Sequence, residues 1–399
     1  MARSSVRTMG EGNLSLGELR TLSLDLLRRP PFDLERRKFT ADLRRSLDPD
    51  DPGEAGAPGD PGDTGGSGAA GATGAAGAAG AAGAAGREPR GPVDLAGKAQ
   101  EFLRSPEFWK QWYEEQLYYF LLVDNFAPRG EDMQSIPGEL AAGRIDVREA
   151  IHRIALSASF DQRNPGADTF VTVVLEQLAG LAVERNRREL EIGKSVYDGK
   201  PGNFLGRPGA SQSDVVKSAM EQRSFAESLL GREHRRLVHA AAAKSDLKDW
   251  TEAFLADPRV FPDLVRRWIG SPAYAARLGR REPMDNRLFV RALIVDLCQR
   301  EPTAEEFSRM RSALDGLADP TPLRAVLARL LVDSLQTDPR PARAVPDAPS
   351  FVREQFARLL GRAPSAAEEQ ELVASLADPA SRPALLTYAL LTHSEYQSY

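Results

Sequence analysis

The sequence predicts an all-α fold, made of degenerate helical repeats of about 50–60 residues packed into two or three helical domains and interrupted by one Gly-x-y insertion. Three observations predict it. Apolar residues recur with helical period, and no run alternates with the period of a strand. The periodic runs start and stop on recognisable caps. One pattern also returns: Phe289 to Glu306 (FVRALIVDLCQREPTAEE) recurs 62 residues on at Phe351 to Glu368 (FVREQFARLLGRAPSAAE). A third copy spans Leu19 to Glu35, where Asp25, Arg29, Pro31 and Glu35 match Asp296, Arg300, Pro302 and Glu306.

Each element of the unit has a physical cause. In the two clearer copies an apolar-periodic run ends in Arg-x-Pro, and Thr303-x-x-Glu306 or Ser365-x-x-Glu368 follows. That is a helix, a proline stop and a capping box that opens a second helix. Arg300 and Arg362 fall where a cation meets the negative end of the first helix. Phe32 replaces the capping hydroxyl in the first copy. The second helix closes on Leu-x-Asp-Pro at Leu317–Pro320, Leu376–Pro379 and Leu255–Pro258. A third helix ends on an aliphatic residue five before an aromatic: Leu103 and Phe108, Met220 and Phe225, Ile269 and Tyr274, Leu391 and Tyr396. In Ser105-Pro106 and Ser271-Pro272, serine caps and proline fills the first helical position.

The pattern resembles a helical repeat of unknown function found in bacterial surface and secreted proteins. It is also similar to the linker domain of phycobilisomes and to the domain that accompanies cytochrome c modules in planctomycetes. Gly143 to Phe160 (GRIDVREAIHRIALSASF) is the most linker-like piece. The resemblance implies a helical scaffold or docking module and carries over no catalytic residue. No Cys-x-x-Cys-His occurs, which removes haem attachment, and no cysteine is placed to hold a bilin.

Along the chain, residues 1–15 are expected to be disordered. A helical domain over 16–160 is interrupted by a flexible linker at 51–92, degenerate repeats fill 168–278, and a repeat pair fills 287–399. Within the linker, Gly53 to Gly86 has glycine at every third position, which permits a collagen-type triple helix. Just two triplets carry proline at the third place, Pro58 and Pro61. An inserted loop must also bring its ends together, and a rod of 33 residues would hold them about 100 Å apart against about 30 Å for a coil. A disordered loop and a monomer are therefore favoured, with a homotrimer as the alternative.

Composition bounds the partners. A net charge of −5 argues against nucleic acid, although Arg20 to Arg45 is locally basic. No stretch approaches 18 apolar residues and no signal-peptide pattern is present, so no membrane span and a cytoplasmic setting are expected, with export by a non-classical route as the alternative. The single cysteine, Cys298, sits in an apolar helix run and reads as a buried small hydrophobe.

Candidate partner-binding residues come from two stretches. Phe108 to Phe126 is apolar on most sides, which describes either a core helix or a core helix with an aromatic face for a partner; Trp109, Tyr113 and Tyr118 are the candidates. Residues 193–209, rich in glycine, describe an ordered surface loop between helices, with Tyr197, Asn203, Phe204 and Arg207 as candidates. Gly193-Lys194-Ser195 lacks the upstream glycine and strand of a phosphate loop. The four histidines are scattered, with no metal-binding spacing, so no catalytic, cofactor or metal residue is assigned. The expected function is a non-catalytic scaffold docking a protein partner. An enzyme or cofactor-associated protein with a site near the middle repeats is one alternative, and a collagen-like trimeric surface protein is another.

Overall fold

The computed structural model describes residues 14–47, 94–122, 131–335, 347–378 and 382–399; the Gly-x-y insertion lies outside them. The disorder expected over residues 1–15 falls outside the described residues up to 13, while 14 and 15 are ordered. Ser15 caps the first helix through a complete capping box with Glu18, and Leu14 and Leu19, at the two staple positions around that cap, are both buried.

The fold is all-α. The chain runs through α1 (Leu16–Leu27), α2 (Asp33–Leu47), α3 (Leu95–Leu103), α4 (Pro106–Leu121), α5 (Glu131–Ala141), α6 (Val147–Ala155), α7 (Ala158–Arg163) and α8 (Gly166–Val173), which continues into a π-helical turn, Val174–Leu178. Next come α9 (Arg187–Tyr197), strands β1 (Gly202–Phe204) and β2 (Arg207–Gly209), α10 (Gln212–Met220), α11 (Arg223–Val238), α12 (Lys244–Ala256), α13 (Phe261–Ile269) and α14 (Pro272–Leu278). The C-terminal part adds α15 (Asn286–Cys298), α16 (Ala304–Asp315), α17 (Thr321–Ser334), α18 (Ala348–Leu359), α19 (Ala366–Ala377) and α20 (Pro383–Thr392).

The repeated unit folds as helix, stop, helix in all three copies. Thr303 and Ser365 form complete capping boxes with Glu306 and Glu368. The arginine before the proline does more than face the end of its own helix. It reaches forward and grips the capping-box glutamate with both terminal nitrogens: Arg29 on Glu35 at 2.7 and 2.9 Å, Arg300 on Glu306 at 2.8 and 2.7 Å, Arg362 on Glu368 at 3.0 and 2.8 Å. Each also donates to the carbonyl of the next residue, Pro30, Glu301 or Ala363. A planar bidentate fork thus sets the angle between the two helices. Phe32 keeps half of the box, because its backbone N–H donates to Glu35 at 2.8 Å while its ring lies 3.9 Å under the Arg29 guanidinium.

The serine turns recur as well. Ser105 and Ser271 each accept from the backbone N–H three residues on, at 3.2 Å, and donate to the carbonyl three residues back. Ser157 makes the same turn ahead of Phe160.

Two cores organise these helices. The first runs from Leu14 to Tyr274, so the segments 16–160 and 168–278 share one continuous interior. The second is built by α15 to α20 and takes in one residue from the far end of the chain, Leu24 of α1. Helix α1 therefore lies between the cores, with Leu19, Leu22, Leu26 and Leu27 in one and Leu24 in the other.

Residues 193–209 are not a loop between helices. They are the end of α9 followed by a two-stranded hairpin in the register Gly202–Gly209, Asn203–Pro208 and Phe204–Arg207. Leu205 and Gly206 make its turn, both with positive φ (49° and 78°), as a two-residue turn matched to strand twist requires. A Cβ on Gly193 would meet Val171 at 2.5 Å and Phe204 at 2.8 Å, so glycine lets the hairpin seat against α9.

Candidate functional site

The structure divides the seven sequence candidates. Trp109 and Tyr113 are buried in the first core, 6% and 4% exposed, so neither ring is offered to a partner. The cause is the surroundings of α4, which packs against α1, α3, α5, α6 and α7 and has no free aromatic face there. Tyr113 donates its hydroxyl to Met133 Sδ, and burial pushes its phenol above the usual range. Phe204 is wholly buried under the hairpin. Tyr118 is half-buried beneath the Arg287 guanidinium, 4.1 Å from the ring centre. Tyr197 donates to Asp161 at 3.3 Å and packs on Phe170. Asn203 and Arg207 stand exposed on the hairpin, where Arg207 pairs with Glu221 at 3.0 Å.

Polar residues that resemble catalytic machinery are engaged in joints between helices. Asp25, on α1, accepts from the Tyr274 hydroxyl at 2.7 Å and from Arg277 at 2.8 Å. Asp296, at the matching place on α15, accepts from the Tyr396 hydroxyl at 3.0 Å and from Arg20 at 3.1 and 2.7 Å. Burial pushes the Asp25 carboxyl up, against the pull of Arg277 and Tyr274, and raises both phenols well above their usual range. In each joint the buried carboxyl accepts from one arginine and one tyrosine hydroxyl, and the tyrosine is the aromatic residue of the repeat signature.

A second equivalence links the two halves. Arg20 and Arg291 occupy the same position of their copies, and each crosses to the other half: Arg20 to Asp296, Arg291 to Gln111 and Glu114 on α4. Arg28 reaches Asp285 at 2.9 Å, and Arg287 reaches Glu115 at 3.3 Å. These pairs are spread along one seam; of them Arg20 alone lines a cavity, of about 420 Å³ beside α14 and the C-terminal residues, and its guanidinium is already held by Asp296 and the Arg358 carbonyl, so the pairs orient helices.

The remaining chemistry is local. Lys194 pairs with Asp168 and Glu191, and the Ser195 hydroxyl returns to the Glu191 carbonyl, all within or beside α9. His234 lies between Trp250 and Trp268, and burial lowers its affinity for a proton. Cys298 is half-buried, with its thiol pushed up by burial. Among the described residues no group of three or more His, Cys, Asp or Glu is placed to hold a metal ion, and no helix is long and apolar enough to cross a membrane.

What the structure does expose is aliphatic. Val326 and Leu330, one turn apart on α17, are 50% and 60% exposed. Leu335 at the end of α17, Leu317 just before it, and Leu385 on α20, which packs against α17, are exposed as well. The sequence reading missed this surface, because a helix of leucines and valines is read as core whichever side faces water. Comparison with protein-family models, curated proteins and solved structures finds no match for this chain.

Proposed function

We propose that the protein is a docking scaffold without catalysis of its own, which presents the outer surface of its C-terminal repeats to a protein partner. The aliphatic surface on α17 and α20 carries this reading, since water-exposed Val326, Leu330 and Leu385 gain free energy when a partner covers them. The buried acid–arginine–tyrosine sets support it from the other side, because they join helices.

The test is a quantitative pull-down from native extract with the wild-type chain and a Val326→Asp/Leu330→Asp variant, both checked by circular dichroism. Substitutions at such exposed positions change stability by about 0.5 kcal/mol or less, so the variant is expected to fold. A protein held by the wild type and lost by the variant is the expected outcome. If every captured protein binds both equally, this surface is not the docking site.

A further inference from the structure

Outside the joints and the aliphatic surface, one concave region of the first half is lined by cations. A cleft of about 620 Å³ runs along the outer face of α11, bounded by Tyr119 of α4 and Leu247 of α12. Arg232, Arg235 and Arg236 line it, and their spacing puts them on one helical face. We propose that this cleft binds an acidic peptide segment of a partner protein, with Arg232 and Arg235 receiving its carboxylates.

The arginines are held ready in different ways. The Arg232 guanidinium lies 3.8 Å over the Tyr119 ring and donates to Gln116 Oε1 at 2.6 Å, which fixes the plane of its fork. Arg235 is exposed, and its guanidinium has no partner among the described residues. Arg236 is partly engaged, donating to Glu233 and to the Asp25 carbonyl. Glu227, which also lines the cleft, is held by Arg223 at 2.9 Å, and the buried Glu233 by Gln116 and Arg236, with Arg232 Nε 3.8 Å from it; three arginines thus stand against one lining carboxylate. Net positive charge therefore faces the cleft.

Its floor is unusual for a helix. Gly231 sits mid-helix in α11, where glycine weakens the helix relative to alanine, yet a Cβ there would meet nothing within 4 Å. Packing inside the protein does not require this glycine, and the missing side chain leaves room there for a ligand backbone to approach. The neighbouring Ser228 hydroxyl, also lining the cleft, has no partner among the described residues. A single inorganic anion, a few waters in size, would leave most of the space empty. Nucleic acid fits poorly, because the Tyr119 face that could stack a base is covered by Arg232 and the chain is acidic overall.

This cleft lies apart from α17 and α20, so either site can fail without the other. The test is fluorescence anisotropy of a labelled oligoglutamate peptide titrated with the full chain at low salt. Arg235→Glu, which reverses a charge facing the peptide, and Gly231→Leu, which fills the space beside it, are each expected to weaken binding about tenfold or more. An oligoglutamine peptide of the same length is expected not to bind, and Val326→Asp/Leu330→Asp to bind as the wild type does. No binding by the wild type, or undiminished binding by both cleft variants, overturns the proposal. Displacement of the peptide by inorganic phosphate at equal concentration also overturns it, leaving a small-anion site.

Discussion

At the scale of single residues, the repeat rests on one reused device, an arginine that clamps the capping-box glutamate of the next helix. Thr303→Ala and Ser365→Ala are each expected to cost about 0.5–2 kcal/mol in denaturant unfolding, since each removes the side-chain bond to a helix-start amide. The clamp also ties stability to pH. Arg300 and Arg362, with the backbone amides of Thr303 and Ser365, lower the Glu306 and Glu368 carboxyls from 4.5 to about 2. Folding thus weakens proton binding, so the stabilisation is present above the unfolded value and lost as pH falls through about 2. Both side chains are about a third exposed, 32% and 36%, and solvent screening limits the effect to about 0.2–1 kcal/mol each. Urea midpoints measured near pH 5 and pH 2 should therefore fall less in a Glu306→Gln/Glu368→Gln variant than in the wild type. Phe32 tests the exception. From sequence, a threonine there promises a better cap, but the ring under Arg29 makes Phe32→Thr destabilising, by about 0.5–1 kcal/mol in the same assay.

At the scale of elements, helix-stop-helix was legible because its signals are local: proline, capping box, serine turn. The tyrosines were legible as a spacing, Ile269 to Tyr274 and Leu391 to Tyr396, while their purpose was not, since Asp25 and Asp296 lie far off in sequence. Tyr274→Phe and Tyr396→Phe are expected to destabilise by similar amounts, about 1–3 kcal/mol each, because each strips one donor from a buried carboxylate. Unfolding curves showing one variant silent would break the equivalence of the two joints. The hairpin escaped the sequence reading for a different reason. Its turn is Leu205-Gly206 in place of the usual Asn-Gly, and a leucine with positive φ sends no local signal. Of the two readings open for α4, burial holds at Trp109 and Tyr113, because the neighbours α1, α3, α5, α6 and α7 supply it, while Tyr118 stays half-buried.

At the scale of the whole molecule, α1 holds the two cores together. It gives Leu24 to the second core and Arg20 to Asp296, and the side chains of that pair are 9% and 2% exposed. Removing one member of a buried pair costs about 3–5 kcal/mol, so Arg20→Ala is expected to loosen the C-terminal half first. Calorimetry should then show two transitions, and a single unshifted one would mean that the halves are unified elsewhere. The sequence by itself determined the all-α class, the helix-stop-helix unit and its caps, because backbone hydrogen bonding and capping act within a few residues. Tertiary structure alone decided the rest. It merged the N-terminal and middle repeats into one core, turned Trp109, Tyr113 and Phe204 inward, exposed Val326 and Leu330, and gathered Arg232 and Arg235 around Gly231. Burial depends on which distant helices arrive at a face, and that information is spread over the whole chain.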